Sequence, residues 1–202
     1  MSLWLADKPL VLASKSVSRR ALLQGAGIPI EVLVADIDER GIEANTNLAD
    51  PGAVAALLAR EKALAVSAQQ PGRLVIGADQ TLALGQRRFS KPADRTAARE
   101  QLKAMRGQVH ALHSAVAIMR DGGPVFEHCA VARLAMRAFS DGFLESYLDA
   151  AGDAVMTSVG AYQLEGLGVQ LFERVEGDHS TILGLPLLPV LAALRREGVL
   201  NG

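Results

Sequence analysis

Residues 12–23 read LASKSVSRRALL, with three serines and two arginines set between an apolar tripeptide and a leucine-rich run. The apolar segment Pro9–Ser14 suits a buried strand ending at Ser14. The following segment places Ala21, Leu22 and Leu23 on a helix that glycine closes at Gly25 or Gly27. Strand, polar loop, helix aims backbone N–H groups and the positive end of a helix dipole at an anion. Ser14, Ser16 and Ser18 add neutral donors, and Arg19 offers a forked contact to phosphate oxygens. A plainer reading is also open, in which one serine caps the helix and the arginines are solvated. The stretch is not a Walker loop, since it lacks the glycines and the Gly-Lys-Ser/Thr ending.

Outward from this stretch, strand and helix patterns alternate. Residues 28–39 (IPIEVLVADIDE) predict a strand running into an acidic loop, and Asp50-Pro51 opens a long helix that stops before Pro71-Gly72. Residues 73–84 (RLVIGADQTLAL) form two β-rich halves around GADQ, where Gly77 permits a close backbone approach. Asp94 caps a helix through Met105. Two strands joined by RDGG at 120–123 follow, then a helix capped by Ser140, a strand over 167–177 and a last helix after Pro186. The sum is one α/β domain over residues 1–202 with a mixed twisted sheet flanked by helices.

The chain has 202 residues, 50% hydrophobic and 21% charged, which fits a soluble globular protein with one sizeable core. A net charge of −1 argues against capture of nucleic acid or of anionic membrane. The lone Cys129 excludes an internal disulfide and fits a reducing compartment. No apolar run approaches the roughly 18–20 residues that span a bilayer. Asp7, Lys8 and Pro9 interrupt any signal-peptide pattern, so a cytoplasmic location is expected.

Asp79 lies in the middle of a buried β segment. A carboxylate there costs several kcal/mol unless it meets a cation, a metal or hydrogen bonds, although a turn aspartate between two strands is the simpler reading. Asp36, Asp38 and Glu39 form a second acidic cluster. Two carboxylate sources and an arginine-serine loop together suggest a magnesium-nucleotide site, with oxygen ligands for a hard cation and donors for phosphate. Lys62 and Lys91 each read alone as solvated surface lysines, and only their company raises them. His110, His113, His128 and His179 have no metal-type spacing.

Taken in order, these segments resemble the Maf family of nucleoside triphosphate pyrophosphatases. The resemblance rests on LASKSVSR, ADIDE, AREKA, GADQT, SKP, MRGQVHALHSAVAI and GAYQLEGLGVQLFERVEGDHSTILGLPL. It implies metal-dependent hydrolysis of a nucleoside triphosphate to monophosphate and pyrophosphate. The implied fold is elongated, related to that of the inosine triphosphate pyrophosphatases, with the site in a central cleft. By the same resemblance Asp79 matches a proton acceptor and Glu39 a second essential carboxylate, either being a ligand for Mg²⁺ or Mn²⁺. Lys62 and Lys91 match two functional lysines, and Ser14 and Arg19 lie in the phosphate-binding motif. A homodimer is also implied.

Gln80 and Glu165 resemble the branch acting on 7-methyl-GTP, whereas the dTTP/UTP branch has threonine and glutamine there. Glu165 can accept from a guanine N1–H and 2-amino group. Val17 replaces the motif's proline, and Ser18 stands where the branches carry arginine or a large aromatic. A rival from another class is a nucleotide-binding regulator of septum formation, the role behind the family's name. It would need the phosphate loop but not the carboxylates and lysines.

Overall fold

The computed structural model describes residues 3–202. Strands β1 (Leu10–Leu12), β2 (Ile30–Val32), β3 (Val75–Leu84), β5 (Val109–Arg120), β6 (Gly123–Met136) and β7 (Phe172–Glu176) form a sheet in the order β2-β1-β3-β5-β6-β7. A seventh strand, β4 (Arg87–Phe89), pairs with β3 off that path. β1 pairs parallel with both β2 and β3, while β3–β4 and β6–β7 are antiparallel. The architecture is therefore a mixed sheet flanked by helices α1 (Val17–Gly25), α2 (Glu39–Asn45), α3 (Pro51–Ser67), α4 (Arg95–Met105), α5 (Asp141–Ala151), α6 (His179–Ile182) and α7 (Leu187–Arg196).

Three expectations about elements change. β3 is one ten-residue strand that passes straight through GADQ, with every residue from Val75 to Asp79 buried and extended rather than turning. The strand expected over 167–177 begins only at Phe172, after a 3₁₀ turn over Leu167–Leu171. The acidic loop after β2 contains α2, capped by Asp38, whose side chain accepts from Gly41 N at 3.0 Å.

Side chains alternate across a strand, and β3 uses the period of two to address two different layers. Its even positions Ile76 and Ala78 join Leu10, Leu12, Leu23, Leu185, Val190 and Leu194 in a core shared with α1 and α7. Its odd position Val75 packs with Val11, Ala13 and Val66 on the α3 side. α3 turns a stripe of Ala55, Ala59 and Ala63 to the sheet, four residues apart as one helix face requires. The approach is close at Gly77, where a Cβ would fall on the Ala59 carbonyl oxygen and within 2.6 Å of Ala63 N.

The chain divides into two compact units, and β3, β5 and β6 each run from one into the other. The first holds the chain through Gln80, Ser114–Ala130 and His179–Gly202. The second holds Thr81–His113 and Val131–Asp178. In the second, His110 is buried with its Nε2 at 2.7 Å from Tyr162 Oη, and both rings lie against Phe172. Burial lowers the His110 pKa to about 4 and raises that of Tyr162. No described helix is long and apolar enough to cross a membrane.

Two outcomes are expected. Gly77→Ala should lose about 2 kcal/mol or more through overpacking against helix backbone, read as a lower urea midpoint at unchanged m-value. The folded His110 pKa of about 4 lies below the ordinary value of 6.5. The unfolded chain therefore takes up the proton first, so this histidine's contribution is complete above pH 6.5 and is lost as pH falls towards 4. The wild-type melting temperature should fall more steeply across that window than that of His110→Gln.

Candidate active site

The site begins where β1 ends. Ser16 caps α1, its Oγ accepting from Arg19 N at 3.3 Å. Ser14 Oγ accepts from Ser16 N and from Arg19 Nη1, both at 3.2 Å. With both lone pairs engaged, the hydroxyl proton of Ser14 is left to donate. Arg19 Nη1 also donates to Ala78 O at 2.7 Å, and its Nε to Gly184 O at 2.8 Å. Its Nη2 has no partner among the described residues. The guanidinium is thus fixed on three protein oxygens and presents a single edge, not the full fork that the sequence suggested. Burial pulls its pKa below the ordinary arginine value, against the smaller opposing pull of the nearby Asp79 and Glu39 carboxylates.

Asp79, an odd position of β3, faces α3. Lys62 Nζ donates to Asp79 Oδ1 at 2.7 Å and to Glu39 Oε2 at 2.8 Å. The Lys62 and Asp79 side chains are 10% and 13% exposed, so Lys62 is no solvated surface lysine. Glu39, at 49%, opens to solvent from the first turn of α2. Ser14, Ser16, Arg19, Glu39, Lys62 and Asp79 are therefore gathered in the first unit around the carboxyl end of β1. In open α/β sheets, ligands bind beyond the carboxyl ends of parallel strands.

The donor set fits a divalent cation of the Mg²⁺ type, which takes one or two carboxylates and completes its shell with substrate phosphate and water. Asp79 and Glu39 each engage one oxygen with Lys62, and their second oxygens have no partner among the described residues. No group of three or more His, Cys, Asp or Glu that could hold a metal ion is present among the described residues.

Gln80, an even position, faces the other layer. Its Nε2 lies 2.8 Å from Ser114 Oγ, 3.2 Å from Thr181 O and 3.0 Å from Ile182 O. Ser18 is half-buried in the first turn of α1. Lys91 and Glu165 belong to the second unit. Lys91 is exposed between β4 and α4, and Glu165 is exposed in the turn where Gly166 N donates to Gln163 O at 3.2 Å. Sequence reasoning missed Gly184 and Ser114. A backbone acceptor carries no side-chain signal, and a buried serine in a strand looks like filler.

The likeness to known proteins runs through the same segments. A family model described as Maf-like protein matches residues 9–197. A nucleoside triphosphate pyrophosphatase of Bradyrhizobium diazoefficiens is 61% identical over 197 residues, covering 98% of each chain. A 7-methyl-GTP pyrophosphatase of Brucella suis biovar 1 is 52% identical over 195 residues, covering 96% of this chain and 98% of that one. Among solved structures, a HAM1 protein from Coxiella burnetii aligns with a TM-score of 0.41 at 20% identity, over 64% of this chain and 73% of that one. With its motif residues assembled at the end of β1 and a family match across nearly its whole length, the chain belongs to the Maf family.

Proposed function

We propose that the chain is a nucleoside triphosphate pyrophosphatase, dependent on Mg²⁺ or Mn²⁺, that cleaves the α–β phosphoanhydride bond and prefers a modified guanine base such as 7-methylguanine. The observation that carries the hydrolytic reading is the pairing of Lys62 with both Asp79 and Glu39 beside a buried, oriented Arg19. The 61% identity to a relative named for this activity supports it. The lone cysteine favours a reducing, cytoplasmic setting.

In this reading Arg19 Nη2 and the Ser14 hydroxyl bind the triphosphate oxygens. Asp79 or Glu39 takes the proton as water attacks the α-phosphorus. The new P–O bond forms as the bond from the α-phosphorus to the bridging oxygen breaks, and that oxygen leaves with pyrophosphate. A bound divalent cation would supply neutralisation of phosphate charge and would lower the pKa of water. Lys62 orients both carboxylates and adds positive charge where charge develops, and Lys91 is its proposed companion towards the leaving group. Gln80 and Ser18 fall at positions where the family's branches differ. For the base, Glu165 suits 7-methylguanine because that ring is cationic and also offers N1–H and 2-amino donors. A relative at 52% identity is named for that substrate.

Incubation with Mg²⁺ or Mn²⁺ and 7-methyl-GTP, GTP, dTTP, UTP or CTP should release pyrophosphate and the monophosphate. Orthophosphate as the first product rejects the bond assignment. Asp79→Asn should keep its fold, since Lys62 retains Glu39, and should lose roughly 100-fold or more in kcat. Retained turnover removes Asp79 from the chemistry. Glu165→Gln should lower kcat/KM for 7-methyl-GTP relative to UTP, and an unchanged ranking counts against its role in reading the base.

A further inference from the structure

The geometry points to Gln80 as a positioning residue for the phosphate-facing guanidinium of Arg19, acting through Ser114 and the turn Thr181–Gly184. This rests on the reading of Arg19 as a phosphate ligand and extends it to groups that touch neither the carboxylates nor Lys62. Gln80 follows Asp79 directly, yet the strand's period of two sends it to the opposite layer. There its amide nitrogen donates to Ser114 Oγ at 2.8 Å, and Ser114 Oγ donates onward to Thr181 O at 2.7 Å. Because that hydroxyl proton is spent on Thr181, Ser114 must accept from Gln80, which fixes the orientation of the amide. The same nitrogen reaches Thr181 O at 3.2 Å and Ile182 O at 3.0 Å.

Thr181 O is also the acceptor of Gly184 N at 3.0 Å, and Gly184 O is the acceptor of Arg19 Nε at 2.8 Å. Four hydrogen bonds in series thus connect the Gln80 amide to the guanidinium. Two features keep the chain stiff. Ser114 is fully buried, and Thr181 and Gly184 are buried beside it. Gly184 has φ +95°, a backbone state that side chains rarely adopt, and a Cβ there would stand 3.3 Å from Arg19 Nε. α6 has only four residues, so its own hydrogen bonds alone hold the turn weakly. The grip of Gln80 and Ser114 on two consecutive carbonyls supplies what the short helix lacks. An amide nitrogen engaged with the Ser114 hydroxyl at 2.8 Å and with two carbonyls at 3.0 and 3.2 Å has no donor left for a nucleobase.

Inorganic pyrophosphate separates positioning from base reading, because it has no base. Gln80→Leu should weaken pyrophosphate binding, measured calorimetrically, by roughly 10- to 100-fold, the worth of one charge-assisted hydrogen bond. It should lower kcat/KM for GTP, UTP and 7-methyl-GTP by a common factor without reordering them. In an Arg19→Ala background the same change should cost nothing further. Ser114→Ala should repeat the pattern, and it carries the test should Gln80→Leu fail to fold. Unchanged pyrophosphate affinity with a reordered base ranking overturns the proposal, as do additive losses in the double variant. A wild-type protein that binds neither pyrophosphate nor nucleoside triphosphates overturns the hydrolase reading along with it. Wild-type binding and turnover with Gln80→Leu and Ser114→Ala unaltered overturns the positioning role alone.

Discussion

The site depends on how closely one helix can lie on one strand. At Gly77 the backbone of α3 reaches the backbone of β3 with no side chain between them, and Ala55, Ala59 and Ala63 keep the helix face equally thin. Lys62 is the neighbour of Ala63, so the depth of that contact sets where its ammonium arrives. It arrives at 2.7 Å from Asp79, two residues beyond Gly77 on the same face of the strand. An ion pair with this little exposure gains little net stability, because desolvation of both partners offsets their attraction. The geometry is imposed by apolar packing, and the pair is oriented by it.

The same economy governs Arg19. A solvated arginine would have to be immobilised when an anion binds, whereas this one is already held by Ser14, Ala78 and Gly184. In the proposed reaction, a donor fixed beforehand would need no reorganisation as charge develops, which is where electrostatic catalysis gains most. Two carboxylates face two cations, so the cluster is near electrical balance by itself.

The second unit shows a comparable anchoring of the segment that carries Glu165. Tyr162 is held at its hydroxyl by His110 and at its carbonyl by Ser158 Oγ, while Gln163 Nε2 donates to Thr157 Oγ1 at 2.8 Å. Gly168 permits the following turn to close on the Gln163 backbone, where a Cβ would stand 2.9 Å from Gln163 N. An exposed carboxylate at Glu165 is thereby carried on a segment whose base is buried and aromatic. Such support would serve the base-reading role proposed for Glu165, since a loosely held carboxylate forfeits affinity in being ordered.

The sequence by itself determined the alternation of strands and helices, the loop after β1 and the residue types a polyanion and a hard cation require. Those features are local, written in hydrophobic period, caps and turn residues. It also marked Gly77 as a point of close approach but could not say that α3 makes the approach. Only the tertiary structure decided that β3 runs unbroken through GADQ, that α2 lifts Glu39 onto Lys62, and that Arg19 leans on a glycine 165 positions away. Neighbours in sequence were also parted, Asp79 towards Lys62 and Gln80 towards Thr181. The physical reason is that a strand assigns its side chains to faces by parity, while the layer covering each face is set by packing between segments far apart in the chain.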